Sequence, residues 1–132
     1  IKHGRVAMLA ALGFVVAEQF HPLFGGSVAS PSAFAFQQTP LQNFWPLVVA
    51  GIGAFEMSTS VFTLESPFKQ LWTMKEGHIP GDMGLFGGKE LATRNPAEFK
   101  KAQTKEINNG RLAMIGIAGM VAQELITGAK LF

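Results

Sequence analysis

The chain has 132 residues, of which 48% are apolar and only 15% charged, and it carries a net charge of +2. One domain of this size has no basic, aromatic-interleaved patch for nucleic acid, and so few charges leave much of its surface facing something other than water. With no cysteine, disulfides, zinc–thiolate centres and cysteine catalysis are excluded.

The chain lacks an initiator Met and reads as a processed or incomplete mature chain. In chain order, the first expected helix covers about residues 1–20. Its apolar run from Val6 to Phe20 is ended by His21-Pro22. A loop over about 21–40 follows, within a stretch, residues 19–55, that contains no Asp, Glu, Lys or Arg. The second helix is expected over about 41–64, around the core "WPLVVAGIGAF", with Glu56 next and Pro67 beyond its end. The loop over about 65–96 holds the turn-rich "EGHIPGDMGLFGGKE", which lacks the strand and the Lys-Ser/Thr of a phosphate-binding loop. The third helix is expected over about 97–127. Pro96 sits at its start, "AEFKKAQTKEINNG" forms a polar lead-in, Leu112 to Ile126 is apolar, and Gly128 is the stop.

Each apolar stretch is short of the ~20 residues that cross a bilayer, and flanking helical residues supply the missing length. Lys2, Arg5 and the lysines and arginines of the second loop gather on one side, leaving Lys130 at the far end. That asymmetry predicts three spans with a positive side that includes the N-terminus. The alternative, a soluble domain of buried helices, gives no account of the uncharged loop.

The first and third helices repeat each other. Ile1, Gly4, Arg5, Ala7, Met8, Gly13, Val15 and Glu18 recur 106 positions later as Ile107, Gly110, Arg111, Ala113, Met114, Gly119, Val121 and Glu124. This predicts two helices of the same sidedness related by a pseudo-twofold axis along the membrane normal. Gly4 and Ala7, like Gly110, Ala113 and Gly116, are spaced for close helix approach in lipid. Arg5 and Arg111 stand at the membrane edge, where charges are normally paired. The symmetric solution joins Arg5 to Glu106, and Arg111 to a glutamate expected one position before Ile1. The alternative is an arginine snorkelling to headgroups.

His3 and Asn109 occupy equivalent positions. Gln123 lies fourteen residues after Asn109, and Glu56 is a carboxylate in the middle helix. For each, an ordinary interhelical hydrogen bond is the alternative, yet together they are more lone pairs than three helices satisfy among themselves. Their spread along the helices does not suit a protein-only metal site. It suits single axial ligands to separate metals already held by a macrocycle. Magnesium accepts such oxygen-rich ligands, which points to chlorophyll.

With "HGRVAM" at 3–8, "EINNGRLAM" at 106–114 and "PGDMG" at 80–84, the whole chain resembles the chlorophyll-binding light-harvesting superfamily. The resemblance implies an all-α membrane protein with three thylakoid helices, the first and third crossed and tied by Glu–Arg pairs. It implies chlorophyll magnesium ligated by Glu106, Asn109, His3 and Gln123, with Arg5 and Arg111 as ion-pair arms; Glu56 resembles the middle-helix ligand. The loop at 21–40 would be lumenal, and the N-terminus and the loop at 65–96 stromal. "FHPLFGG", "FAFQQTP", "LWTMKEGHIPGDMG" and "GMVAQELITG" resemble the red-lineage antennae of diatoms, dinoflagellates and related algae. That subfamily implies chlorophyll a and chlorophyll c, with fucoxanthin, peridinin or alloxanthin and a diadinoxanthin-type xanthophyll. Implied partners are a photosystem core, I in preference to II, neighbouring antenna subunits and membrane lipids, in a multi-pass plastid protein that performs no enzymatic reaction.

The sequence departs from the family in two places. "LFGGK" replaces the usual continuation of the PGD loop, which puts its carotenoid or helix-start contact in question. Ala17, the repeat partner of Gln123, has no ligand atom. Energy delivery, photoprotective quenching and an unrelated three-span protein remain competing readings, separated by fluorescence decay and by pigment content.

Overall fold

A computed structural model of the chain describes residues 1–20, 30–40, 42–64, 73–84 and 87–131, the Phe62 side chain excepted. Among them are four α-helices: α1 (Lys2–Gln19), α2 (Trp45–Thr63), α3 (Gly88–Arg94) and α4 (Pro96–Thr127), with a 3₁₀ segment at Ala35–Gln38. No strand forms among the described residues; Leu64 and Met74 make one isolated antiparallel bridge. The 3₁₀ segment and α3 fall within stretches expected to be loops. His21, Pro22, Leu41, Pro67, Lys69, Leu85 and Phe86 lie outside the described residues.

The chain divides into two units, one of Ile1–Trp45 with Glu106–Phe132, the other of Pro46–Lys105. In the first unit, α1 and α4 touch backbone to backbone. A Cβ placed on Gly4 would stand 3.0 Å from Gly110 Cα, and one on Gly110 would stand 2.9 Å from Gly4 Cα. Only glycine at both positions permits that approach. On α1 the sheltered positions include Gly4, Ala7, Ala11, Phe14 and Glu18; on α4 they include Glu106, Gly110, Ala113, Ile117, Val121 and Glu124. Counted from the glycines, steps of three and four carry each stripe fourteen residues to the glutamate at its far end.

In the second unit, the polar end of α2 closes on itself. Ser58, Thr59 and Ser60 donate to the carbonyls of Phe55, Glu56 and Met57, and Thr63 donates to that of Thr59. Lys75 Nζ donates to the Val61 carbonyl (2.9 Å), placing a cation at the helix C-terminus where the dipole favours it. Ile79-Pro80-Gly81-Asp82 is a turn closed by Asp82 N–H on the Ile79 carbonyl, with Gly81 at φ 90°, the position that favours glycine after proline in a type II turn. Asp82 then accepts from Gly84 N–H (2.9 Å), and its Cγ would lie 3.0 Å from a Cβ on Gly88. Asp82 thus lies against the first residue of α3.

Asn95 Oδ1 accepts from Glu98 N–H (3.3 Å), with Pro96 as the first helical residue of α4. Gly128, at φ 61°, ends the helix by donating to the Glu124 carbonyl. At 32 residues α4 is about 48 Å long. Among the described residues no helix is long and apolar enough to cross a membrane. In α1 and α4 polar residues cut into the apolar runs: Lys2, Arg5 and Glu18 in α1, and in α4 a polar lead-in through Arg111 followed by Gln123 and Glu124.

Gly110→Ala is expected to overpack the crossing and destabilise the protein by about 1–3 kcal/mol. Gly119→Ala, where a Cβ meets nothing within 4 Å, should be neutral or gain up to about 1 kcal/mol. Denaturation followed by circular dichroism checks both; equal effects would rule out the glycine contact as the crossing point.

Candidate functional site

The backbone contact at Gly4 and Gly110 brings the next residue on α1, Arg5, beside α4. There Arg5 Nε–H donates to Glu106 Oε1 across the two helices, with 29% and 30% of the two side chains exposed. Glu106 Oε2 takes no hydrogen bond from a described residue. Arg111 is exposed and makes no ion pair among the described residues.

The structure does not gather the remaining candidates. His3 on α1 and Asn109 and Gln123 on α4 are exposed, and none of their side chains bonds a described residue. Fourteen residues of helix separate Asn109 from Gln123, about 21 Å along the axis. Glu56, half-buried on α2, belongs to the other unit. No group of three or more His, Asp or Glu that could hold a metal exists among the described residues. The donors also stand among exposed apolar side chains. Three residues on from His3, Asn109 and Gln123 stand Val6 (57% exposed), Leu112 (71%) and Ile126 (85%). Isolated single donors on an apolar surface do not make a protein-only metal site. They fit a magnesium whose other ligands come from a large apolar macrocycle, which needs one protein atom and a greasy wall.

The opposite ends of the same helices carry a feature the sequence reading left without a role. Glu18 and Glu124, a repeat-related pair, are both buried, at 7% and 0% exposure, and lie close to each other. Each accepts from backbone beyond the end of the other helix. Glu124 Oε2 takes Ala33 N–H at 2.7 Å, and the Glu18 carboxylate takes Leu131 N–H at 3.0 and 3.2 Å. The exchange is reciprocal, as a pseudo-twofold axis requires. Two carboxylates at matched positions of a repeat, deep in apolar runs, were the available signal.

Residues 1–125 match the family model described as "Chlorophyll A-B binding protein". All of the chain is similar to the light-harvesting complex stress-related protein 1 of Chlamydomonas reinhardtii, at 45% identity over 54% of that protein. Stress-related protein 3.1 of the same alga is 46% identical over 52% of its length. The fucoxanthin-chlorophyll a-c binding protein of Isochrysis galbana is 42% identical, over 96% of this chain and 61% of that protein. The chain thus spans little more than half the length of these relatives.

Arg5→Leu strands Glu106 without its counter-charge, and a loss of about 3 kcal/mol is expected. The double variant Arg5→Leu/Glu106→Leu should recover most of it in denaturant titration, whereas a double loss equal to the sum of the single losses would count against the pair.

Proposed function

The chain belongs to the chlorophyll a/b-binding light-harvesting family, and from that premise we propose that it is a thylakoid antenna protein that holds chlorophylls and carotenoids and passes excitation energy to a photosystem. The observation that carries this is the arrangement of donors. Among the described residues, His3, Asn109 and Gln123 each offer one unbonded ligand atom on a helix, and Glu106 Oε2 stands beside the α1–α4 crossing as a carboxylate counterpart; Glu56 is the proposed ligand of the middle helix. These residues would hold chlorophyll magnesium one pigment at a time. Chlorophyll, when bound, supplies light absorption and the excited state. The protein's part is positional: the glycine crossing and the Arg5–Glu106 pair fix the distances between donors on α1 and α4, and rigid helices keep them.

The same surface supports a three-span topology. Ala7 is the only buried apolar residue among those described, while Leu9, Leu12, Leu47, Leu112, Ile115 and Ile126 stand 58% exposed or more. A water-soluble domain of this size would bury such groups. The polar groups inside the helices meanwhile turn to one another: arginine to glutamate, glutamate to backbone, hydroxyl to carbonyl. Internal satisfaction of that kind is what a bilayer demands. The excess of lysine and arginine in the N-terminal and second-loop segments supports a stromal N-terminus.

The likeness to the Isochrysis protein supports chlorophylls a and c with a fucoxanthin-type carotenoid as the bound pigments. A photosystem core, I in preference to II, and neighbouring antennae are the proposed partners. The stress-related Chlamydomonas relatives favour a second reading, in which bound pigment mainly dissipates energy.

Asn109→Leu and Gln123→Leu should each lose about one chlorophyll per chain while keeping the helical circular dichroism. Pigment extraction and chromatography measure that, and an unchanged stoichiometry would remove the two residues as ligands. On the isolated, unaggregated protein, nanosecond chlorophyll fluorescence decay is expected for energy delivery. A strongly shortened decay would turn the assignment to quenching.

A further inference from the structure

Glu18 stands in the last turn of α1 and Glu124 in the last turn of α4. The C-terminal end of a helix carries about half a negative charge from its aligned carbonyls, and a cation is favoured there. A carboxylate is the wrong charge for that position. Elsewhere this chain supplies the right one. Lys75 Nζ donates to the Val61 carbonyl at the end of α2, and Arg94 occupies the last turn of α3. Neither α1 nor α4 has a basic residue in its last turn.

Burial sharpens the imbalance. Glu124 has no exposed surface, Glu18 almost none, and the two lie close to each other. The hydrogen bonds they take from Ala33 and Leu131 come from uncharged backbone N–H groups. Lys130, next to Leu131, pairs with neither carboxylate. Buried charges are held by an opposite charge or a metal. Two buried side-chain oxygens among the described residues take no hydrogen bond, Glu124 Oε1 and Ser30 Oγ. Ser30 lies three residues before Ala33, whose N–H is held by the other oxygen of Glu124. Both orphaned oxygens therefore belong to segments that meet at the same carboxylate.

We infer that Glu18 and Glu124 form a cation site that closes the α1–α4 pair and takes one Ca²⁺, with Glu124 Oε1 as its central ligand and Ser30 Oγ as a neighbouring donor. Carboxylate and hydroxyl are hard oxygens, which suit Ca²⁺, Mg²⁺ or Mn²⁺ and not a thiolate-seeking metal. Mg²⁺ keeps several of its waters, and a carboxylate with no exposed surface leaves no room for that shell. Ca²⁺ adapts to irregular oxygen sets at about 2.3–2.6 Å. One such ion would offset both carboxylates and both helix ends together. The site is separate from the exposed donors His3, Asn109 and Gln123 and does not depend on what those residues hold.

The purified protein in dodecyl maltoside, an uncharged detergent, would be stripped with EGTA and dialysed at neutral pH against radioactive Ca²⁺ in a large excess of Mg²⁺. About one Ca²⁺ per chain should be retained, and thermal unfolding followed by circular dichroism should move up by several degrees relative to the stripped sample. Glu124→Gln keeps an oxygen for Ala33 N–H and removes the charge, so its calcium affinity should fall about tenfold or more. Glu98→Gln, at an exposed carboxylate of the other unit, should bind calcium as the unaltered chain does. No retained calcium, calcium displaced by the Mg²⁺ excess, or undiminished binding by Glu124→Gln overturns the site. So does a melting temperature that responds to acid and not to Ca²⁺, which means that a shared proton neutralises the pair. Should Glu124→Gln fail to fold, Glu18→Gln takes its place, and calcium retention by the unaltered chain still decides.

Discussion

Two glycines facing each other set the terms for the rest of this molecule. With no side chain at Gly4 or Gly110, the backbones of α1 and α4 meet, closer than any side chain at either position would allow. Arg5 and Glu106, adjacent to the crossing, then fall within reach of each other without extended side chains. Fourteen residues further along each helix, the stripe that begins at the glycines ends on Glu18 and Glu124. A bulkier pair at the crossing would separate the helices and loosen both polar ties together.

The distribution of polarity is inverted relative to a water-soluble domain. Carboxylates, an arginine and a set of hydroxyls are turned inward or onto their own backbone, while leucines, isoleucines and valines face out. In the membrane-spanning arrangement proposed above, dispersion contacts with lipid would replace the hydrophobic burial of a soluble core, and the paired polar groups would provide directionality. The single-donor side chains His3, Asn109 and Gln123 interrupt that outer surface one at a time. Under the proposed function, each would hold one pigment at a defined height on its helix.

The two ends of the α1–α4 pair are fastened by different means. At the Gly4 end the fastening is side chain to side chain, which ties helix to helix. At the Glu18 end each carboxylate holds backbone N–H groups of the segment that leaves the partner helix, so it ties helix to connection. This second arrangement orders the 3₁₀ segment and the residues after Gly128 without adding a charge to their surface.

The sequence by itself determined a good part of this. The repeat of Gly4, Arg5 and Glu18 as Gly110, Arg111 and Glu124 announced a related pair of helices, Pro96 and Gly128 marked the ends of α4, and the motifs around them identified the family. These features are legible because periodicity, caps and motifs are local. Other features were decided only by tertiary structure. That Gly4 meets Gly110 and not Gly116, that α3 and a 3₁₀ segment occupy expected loops, that Asp82 docks on Gly88, and that Glu18 and Glu124 exchange backbone partners all depend on which distant segments come into contact. A helical pattern states which face is apolar. It does not state which donor across the molecule a buried carboxylate will reach, because that is fixed by how far two backbones can approach.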